Sequence, residues 1–230
     1  MMKDICDLQQ LLLTVELIDQ DALPETVFGN ISDRLFRRWL IRKGDVTFRF
    51  LEIEFYYFSP RHPDYKTDTK SGAKRPFVYS RNSEAGDFFL HNSGVDICFR
   101  SSMTKDGAKL TMQKGGGILL RSLLRIAPDE RDTAVMGPIA CREALFNYSN
   151  SRSFPVIEET EAPFDDVALK SALRMRGNTI IDLDRKYCFY DASKYDTATN
   201  NWISLYPRFD PILRHITHLP YSPRLNERSQ

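Results

Sequence analysis

The amino-acid sequence predicts one α+β domain with a curved, mainly antiparallel β-sheet and peripheral helices. Segment 46–58 is dominated by β-branched and aromatic residues, which favour a long strand. Asn92-Ser93-Gly94 separates two short strand-like segments and indicates an antiparallel hairpin. Apolar residues recur at helical spacing near the start of the chain. The 230 residues are enough for one sizeable core, so we expect a single domain over 1–230.

The helical segments are predicted from apolar spacing and from Pro and Gly signals. Apolar residues recur at helical spacing from Ile5 to Ile18, and this helix is expected to stop before Pro24, within an N-terminal part at 1–30. Two further helices are predicted, at 32–41 and 137–145.

Most of the remaining apolar segments are predicted to be strands. The segment 46–58 is interpreted as one strand or a strand with a bulge. Further strands are predicted at 87–91, 95–100, 118–123, 179–183 and 186–190. The segment 59–82 is expected to be a long loop and 220–230 a frayed tail. Gly115-Gly116-Gly117 is interpreted either as a flexible turn before a strand or as a place where the backbone approaches a phosphate or ligand closely.

Composition excludes several classes of protein. The 32 basic and 31 acidic residues leave a net charge of +1, which is unlike a histone or a polyanion-coating protein. There is no apolar stretch near the roughly 20 residues that a membrane helix needs, so we expect a cytoplasmic protein without membrane contact. The four cysteines are far apart in sequence, which favours reduced, buried thiols over a zinc site or disulfides. Cys98 and Cys141 are interpreted as core residues.

The segment 46–58 carries the most informative chemistry. Period-two alternation places Leu51, Ile53, Phe55 and Tyr57 on one face, and Glu52, Glu54 and Tyr56 on the other. Carboxylates among aromatic residues are costly unless they line a wet cleft or meet cations, and one so placed can act as a general base. The alternative is an exposed face whose glutamates pair with nearby Lys or Arg.

The other candidate motifs are weaker. His215 and His218 have a spacing compatible with a metal on a helix, but they lack a third ligand nearby, so we expect no metal. The triple glycine lacks the Lys-Ser/Thr of a phosphate-binding loop. The neutral total hides a local basic excess in 61–81, formed by Arg61, Lys66, Lys70, Lys74, Arg75 and Arg81, and an acidic stretch at 158–166.

Read in order, these segments resemble the alkyladenine (3-methyladenine) DNA glycosylase family. The matching motifs are Glu52-Ile53-Glu54-Phe55-Tyr56, Gly86-Asp87-Phe88-Phe89-Leu90-His91 with Ser93-Gly94, Gly117-Ile118-Leu119-Leu120-Arg121-Ser122-Leu123 and Gly137-Pro138 with Cys141, Ala144 and Leu145, followed by 150–154. They occur in the order that the family has, over about residues 30–155.

The resemblance implies a role for particular residues. Glu54 falls on the carboxylate that activates water, Tyr56 on the ring that stacks against the extruded base, and Arg121 on the base-recognition region. His62, with Tyr65 as a rival, is the nearest counterpart of the family's pocket histidine. Ser93 stands where the family has a wedge tyrosine, and Arg100 where it has an asparagine that excludes guanine.

We therefore expect a monofunctional DNA glycosylase that hydrolyses the N-glycosidic bond of alkylated or deaminated purines in base excision repair. It would act as a monomer on damaged duplex DNA without a cofactor, with Lys74, Arg75 and Arg81 against phosphates. Two alternatives stay open: a nucleic-acid or nucleoside binding module without catalysis, and a glycosidase for single-stranded or free nucleoside substrates. Tyr56 as a packed core aromatic, and Arg121 as a structural partner of Glu52, are also open.

Overall fold

The chain folds as an α+β protein around a curved antiparallel sheet with few helices, as the sequence predicts. In the computed structural model the described residues are 7–68, 71–106, 109–128, 130–147, 153–173, 179–181, 187–196 and 201–202. The tail at 220–230 and the pair His215 and His218 lie outside them. In the part of the chain so described, no helix has the length and apolar character needed to cross a membrane.

The helices differ in their bounds from the prediction. They are α1 Leu8–Leu13, a 3-10 helix Thr14–Gln20, α2 Pro24–Arg38, α3 Pro138–Phe146 and a 3-10 turn Ala192–Lys194. The predicted helix at 32–41 is wrong at both ends. Pro24 begins α2 because the first helical position needs no N–H donor, and Trp39 ends it because the chain turns into a strand. Helix α3 is confirmed within one residue.

The strands are β1 Trp39–Lys43, β2 Val46–Phe58, β3 Tyr65–Asp68, β4 Lys74–Pro76, β5 Phe88–His91, β6 Gly94–Cys98, β7 Ser102–Asp106, β8 Lys109–Ile126, β9 Thr133–Met136, β10 Val156–Glu159, β11 Leu169–Ala172, β12 Thr179–Ile181, β13 Cys188–Asp191, β14 Tyr195–Asp196 and β15 Asn201–Trp202. The bounds predicted for β2 are confirmed. The predicted β5–β6 hairpin is present, but β5 begins one residue later than predicted, and β6 begins one residue earlier and ends two residues earlier. The loop predicted at 59–82 is wrong in part, because β3 and β4 form a hairpin within it and β12 extends this hairpin.

Ten of the described strands form the main sheet, whose central path runs β10-β1-β2-β8-β6-β5. Strand β13 pairs with the second half of β2, and β11 with β13. Strands β7 and β9 pair with the two ends of β8. The long strands β2 and β8 therefore lie at the centre. Glu52 and Glu54 have a strand partner on both sides, whereas Tyr56 pairs only with Gly117 of β8.

The register between β2 and β8 changes at a double bulge. Phe50 pairs with Leu123, Glu52 with Ser122 and Ile53 with Leu120. Leu51 and Arg121 are therefore the inserted residues, one on each strand. The predicted face of Leu51 is wrong because of this bulge. Leu51 packs with Leu124 in a small separate cluster and not with Ile53, Phe55 and Tyr57.

The two faces of β2 differ in chemistry. Phe28 of α2 stacks on Phe55 at 4.5 Å between ring centroids, and this side holds the main core. Glu52, Glu54 and Tyr56 lie on the opposite face, as the alternation predicts. Cys98, Cys141 and Cys188 are free, buried thiols, which confirms the predicted core position of the first two.

The acidic stretch at 158–166 has a structural role that the sequence did not reveal. Glu158 and Glu159 pair with Arg42 and Arg38 at 2.7 Å and 3.0 Å, and Asp166 pairs with Arg49 at 2.7 Å. Hydrogen bonds from Arg49 and Lys194 hold the pKa of Asp166 below its usual range. The acidic stretch thus neutralises basic residues of α2, β1 and β2.

The triple glycine is an interior part of β8, so the predicted turn is wrong. A Cβ atom on Gly116 would lie 2.0 Å from the carbonyl oxygen of Tyr56, and one on Gly117 2.8 Å from that of Ile97. Glycine is needed here because β8 passes so close to the backbones of β2 and β6.

Gly116→Ala tests this close approach. The added methyl group collides with backbone that cannot rotate away, so we expect a loss of at least about 2 kcal/mol in the free energy of unfolding, measured by urea denaturation. Gly29→Ala is the matched control, since its Cβ meets the nearest side chain at 3.8 Å inside α2. We expect that variant to gain up to about 1 kcal/mol from helix propensity. Equal stability of the two variants would contradict the packing described.

Candidate functional site

Glu54 is a fully buried carboxylate at the centre of the sheet. Its partners in register are Leu119 on β8 and Cys188 on β13. The side chain points away from α2 because it alternates with Ile53 and Phe55, which belong to the core. A carboxylate in such a position requires a cation or donors close by.

Arg121 supplies that cation. Its Nε donates to Glu52 Oε1 at 3.0 Å, and its Nη1 donates to Glu54 Oε2 in a very short contact. The bulge explains how one guanidinium reaches both carboxylates, because Arg121 is the residue inserted opposite them. The side chain of Arg121 is itself buried, at 6% exposure, so the charges of this group are little screened by water.

The carboxylates of this group differ in their remaining contacts. Glu52 also accepts from the Ser122 hydroxyl and the Cys188 thiol, each at 3.3 Å. Burial raises the pKa of Cys188 well above its usual value, with the charge of Glu52 adding to the shift, so the thiol stays protonated and donates. Glu54 Oε1, in contrast, is buried and has no hydrogen-bond partner within the described residues.

A second buried ion pair lies on the same face. Arg81 Nη1 donates to Asp96 Oδ2 at 2.7 Å, and the other oxygen of Asp96 lies 3.2 Å from His91 Nε2. The guanidinium of Arg81 also lies over the ring of Phe89, 4.5 Å from the centroid. Its Nε and Nη2 atoms are buried without a hydrogen-bond partner among the described residues.

Leu119 separates these two polar groups. It pairs with Glu54 on one side and with Asp96 on the other, so the three side chains share one face. The buried side-chain N or O atoms that lack a partner within the described ranges belong to Glu54 and Arg81 alone. Buried polar groups are almost always satisfied, so their concentration around Leu119 marks this face as the candidate site.

Aromatic side chains flank the two polar groups. Tyr56 is half-buried and contacts Phe77 at 5.1 Å between ring centroids. Tyr79, which is 45% exposed, lies 4.7 Å from the ring of His91. Lys66 Nζ lies 5.0 Å from the centroid of Phe77, and burial lowers the pKa of this lysine, with Arg75 adding to the shift. Rings therefore lie beside both polar groups, and Lys66 adds a cation next to Phe77.

The predicted site residues fall into two groups. Glu54 and Arg121 are in contact, and Tyr56 follows Glu54 on the same face. His62 is wrong as a residue of this site. It is buried in the core, where Nδ1 lies 2.8 Å from the carbonyl oxygen of Tyr57 and Nε2 lies 2.9 Å from the hydroxyl of Tyr187. Its ring also contacts Phe28 of α2, on the other side of the sheet.

Three further residues predicted for the site are Tyr65, Arg100 and Ser93, and the structure places each of them elsewhere than in contact with Glu54. Tyr65, the rival of His62, lies on β3 against Phe58. Arg100 is at the surface, paired with Glu16 at 2.8 Å on the N-terminal 3-10 helix, because the chain leaves β6 at Cys98. Ser93 lies exposed in the β5–β6 turn, with its Oγ 3.4 Å from the hydroxyl of Tyr79.

The basic segment 61–81 presents less charge to solvent than the sequence suggests. Arg81 is wrong as a phosphate contact at the surface, because it is buried against Asp96. Arg61 pairs with Asp21 at 3.0 Å. Lys74 and Arg75 lie exposed on β4, with Lys74 Nζ 5.0 Å from the ring centroid of Tyr65.

Sequence reasoning missed Asp96, His91 and Cys188 as members of these groups. Asp96 carries a usable signal, since it is an acidic residue between apolar residues in the predicted hairpin, and such an inward position needs a cation. Cys188 carries no comparable signal, because its contact with Glu52 depends on strand pairing across 136 residues.

The described residues contain no group of three or more His, Cys, Asp or Glu side chains placed to hold a metal ion. No protein-family model matches the chain, and neither a curated protein nor a solved structure matches it. The candidate site is therefore defined by its own geometry: an arginine shared by two carboxylates, a second arginine with unused donors, and flanking rings.

Arg121→Met tests the dependence of the fold on this shared arginine. The substitution keeps the length of the side chain but leaves Glu52 and Glu54 buried without their cation, so we expect a loss of about 3–5 kcal/mol in the free energy of unfolding. Adding Glu52→Gln and Glu54→Gln to Arg121→Met should recover part of that loss, because the uncompensated carboxylates are gone. Arg125→Met, on the same strand and paired with exposed Glu130, is the control and should cost less than about 1 kcal/mol. A loss of similar size in both single variants would contradict this account.

Proposed function

We propose that this chain is a monofunctional DNA glycosylase that hydrolyses the N-glycosidic bond of alkylated or deaminated purines in base excision repair. The observation that carries the proposal is the state of Glu54: one oxygen is held by Arg121, and the other is buried without a partner among the described residues. A general base needs this combination of fixed position and free acceptor.

In the proposed reaction, Glu54 Oε1 accepts a hydrogen bond from a water molecule and takes its proton as the oxygen attacks C1′ of the sugar. The bond between C1′ and the purine nitrogen breaks, and its electron pair leaves with the base. Arg121 stabilises the ionised carboxylate and orients it through its bond to Oε2. An N-alkylated purine leaves as a neutral molecule, whereas a deaminated purine leaves as an anion and needs a hydrogen-bond donor.

The surroundings of Glu54 support a purine as substrate. Tyr56 lies on the same face and supplies a ring against which an extruded base can stack. Lys74 and Arg75 are exposed on β4 and are the proposed contacts to DNA phosphates. The proposed enzyme acts as a monomer on damaged duplex DNA.

Tyr79 supports action on duplex DNA even though Ser93 is too small to fill the gap left by a flipped nucleotide. The hydroxyl of Tyr79 lies 3.4 Å from Ser93 Oγ, and the tyrosine is 45% exposed. We propose that Tyr79 supplies from a neighbouring segment the wedge that the hairpin lacks.

Glu54→Gln tests the proposed general base. Glu54→Gln keeps the size of the side chain but removes the base, so we expect the rate of base release from duplexes with 3-methyladenine or hypoxanthine to fall by about 100-fold or more. The measurement is single-turnover appearance of abasic sites. Glu25→Gln, an exposed residue in the first turn of α2, should keep the wild-type rate. No release by the wild-type protein, or unchanged release by Glu54→Gln, would refute the proposed function.

Tyr79→Ala tests the proposed wedge. Tyr79→Ala removes the proposed wedge, so release from duplex DNA should fall by about 10-fold or more, since unstacking a base costs a few kcal/mol. Release of the same lesion from single-stranded DNA should change less than about threefold, because no stack has to be replaced. Phe154→Ala, which removes a 68% exposed ring far from the hairpin in sequence, controls for the loss of surface aromatic area. Equal losses on duplex and single strand would exclude the wedge and favour a single-stranded or free nucleoside substrate.

A further inference from the structure

Arg81 is held rigidly but uses only part of its donor set. Nη1 donates to Asp96, and the plane of the guanidinium lies over Phe89. Nε and Nη2 are buried with no hydrogen-bond partner in the described part of the chain. Leaving a buried donor unpaired destabilises a fold, so two on one side chain indicate a position that is completed by a group which the described residues do not supply.

The two unused donors form one recognition edge. The N–H bonds of Nε and Nη2 run parallel along the same side of a guanidinium and match two adjacent acceptor atoms. Gly117 makes room for this edge, because a Cβ atom there would lie 3.1 Å from Nη2. Asp96 and Phe89 therefore fix the donor pair before any ligand binds, and Gly117 leaves space beside it.

The charge around Arg81 decides which acceptors fit. Asp96 already engages Arg81, and the neighbouring Arg121 is shared by Glu52 and Glu54, so acidic groups outnumber arginines in these two clusters. A second anion beside them would be repelled. The fit is better for a neutral ring with two adjacent acceptors, and the O6 and N7 atoms of a 6-oxopurine form the standard partner of a bidentate arginine.

We infer that Arg81 is a specificity residue that reads the O6 and N7 edge of a flipped 6-oxopurine, so that hypoxanthine is favoured over adenine-derived bases. The inference rests on the proposed function, because it requires that an extruded base binds against the face of the sheet that carries Glu54 and Arg81. Guanine carries the same edge, but its pairing with cytosine makes extrusion more costly than that of a mispaired hypoxanthine opposite thymine.

The test compares two duplexes that differ in one acceptor. Each carries a single lesion opposite thymine, either hypoxanthine or 7-deazahypoxanthine, on a 2′-fluoroarabino sugar that resists hydrolysis. Binding of the wild-type protein is measured by fluorescence anisotropy. We expect the hypoxanthine duplex to bind about 10-fold more tightly, within the range for one bidentate contact. A ratio near one overturns the inference.

Arg81→Lys supplies the second arm, because it keeps the positive charge beside Asp96 but lacks the parallel donor pair. Its hypoxanthine preference should fall to within about twofold of unity, while its affinity for a duplex with a tetrahydrofuran abasic site stays close to that of the wild type. Equal weakening on all three duplexes identifies a phosphate contact and overturns the inference. Circular dichroism checks the fold of the variant. If the variant is unfolded, the ratio of the wild-type affinities for the hypoxanthine and 7-deazahypoxanthine duplexes alone decides whether the inference holds.

The outcomes for the two proposals are separable. Discrimination in binding without base release by the wild type would support the reading by Arg81 and refute the glycosylase. Base release by the wild type without a preference for hypoxanthine over 7-deazahypoxanthine would support the glycosylase and refute the reading by Arg81.

Discussion

The ion group of Arg121, Glu52 and Glu54 is the interaction on which the rest of this structure depends. It lies between the two longest strands of the sheet, at the double bulge where each strand carries one inserted residue. Removing the bulge would turn Arg121 away from the carboxylates and shift the alternation of β2 by one residue. The bulge and the ion group therefore require each other: the bulge aims the guanidinium, and the buried charges fix the register.

The two faces of the sheet have different roles in this arrangement. The face that contacts α2 is apolar and contains His62 only as a hydrogen-bonded core residue, between Tyr57 and Tyr187. The opposite face carries the ion groups of Arg121 and Arg81 on either side of Leu119. Stability comes mainly from the first face through burial of apolar area, and the second face can hold incompletely satisfied polar atoms because the first one supports the strands.

Local signals predict the elements that depend on local chemistry. The bounds of β2 follow from side-chain type, and the presence of the β5–β6 hairpin and of α3 follows from a two-residue turn and from Pro138 at a helix start. The placement of Glu52 and Glu54 on one face and the pairing of Glu52 with Arg121 were also open to sequence reasoning.

The errors concern features that distant segments decide. Leu51 changes face because of a bulge that has no signature in one strand alone. Arg81 is buried because it forms an ion pair with Asp96. His62 lies in the core because its ring forms a hydrogen bond with the hydroxyl of Tyr187, 125 residues later. Three consecutive glycines favour a turn because their flexibility is visible in the sequence, whereas the close approach of the Tyr56 and Ile97 backbones is not.

The pairing of the acidic stretch with α2 and β1 has a consequence for how the molecule opens. Strand β10 lies at an edge of the sheet, and Glu158 and Glu159 attach it to Arg42 and Arg38 through ion pairs that remain partly exposed to solvent. Exposed pairs weaken as ionic strength rises, whereas the buried group at Arg121 is largely shielded from salt. Added salt therefore loosens this edge while the centre stays closed, so amide hydrogens of β10 exchange faster and those of β2 and β8 keep their protection.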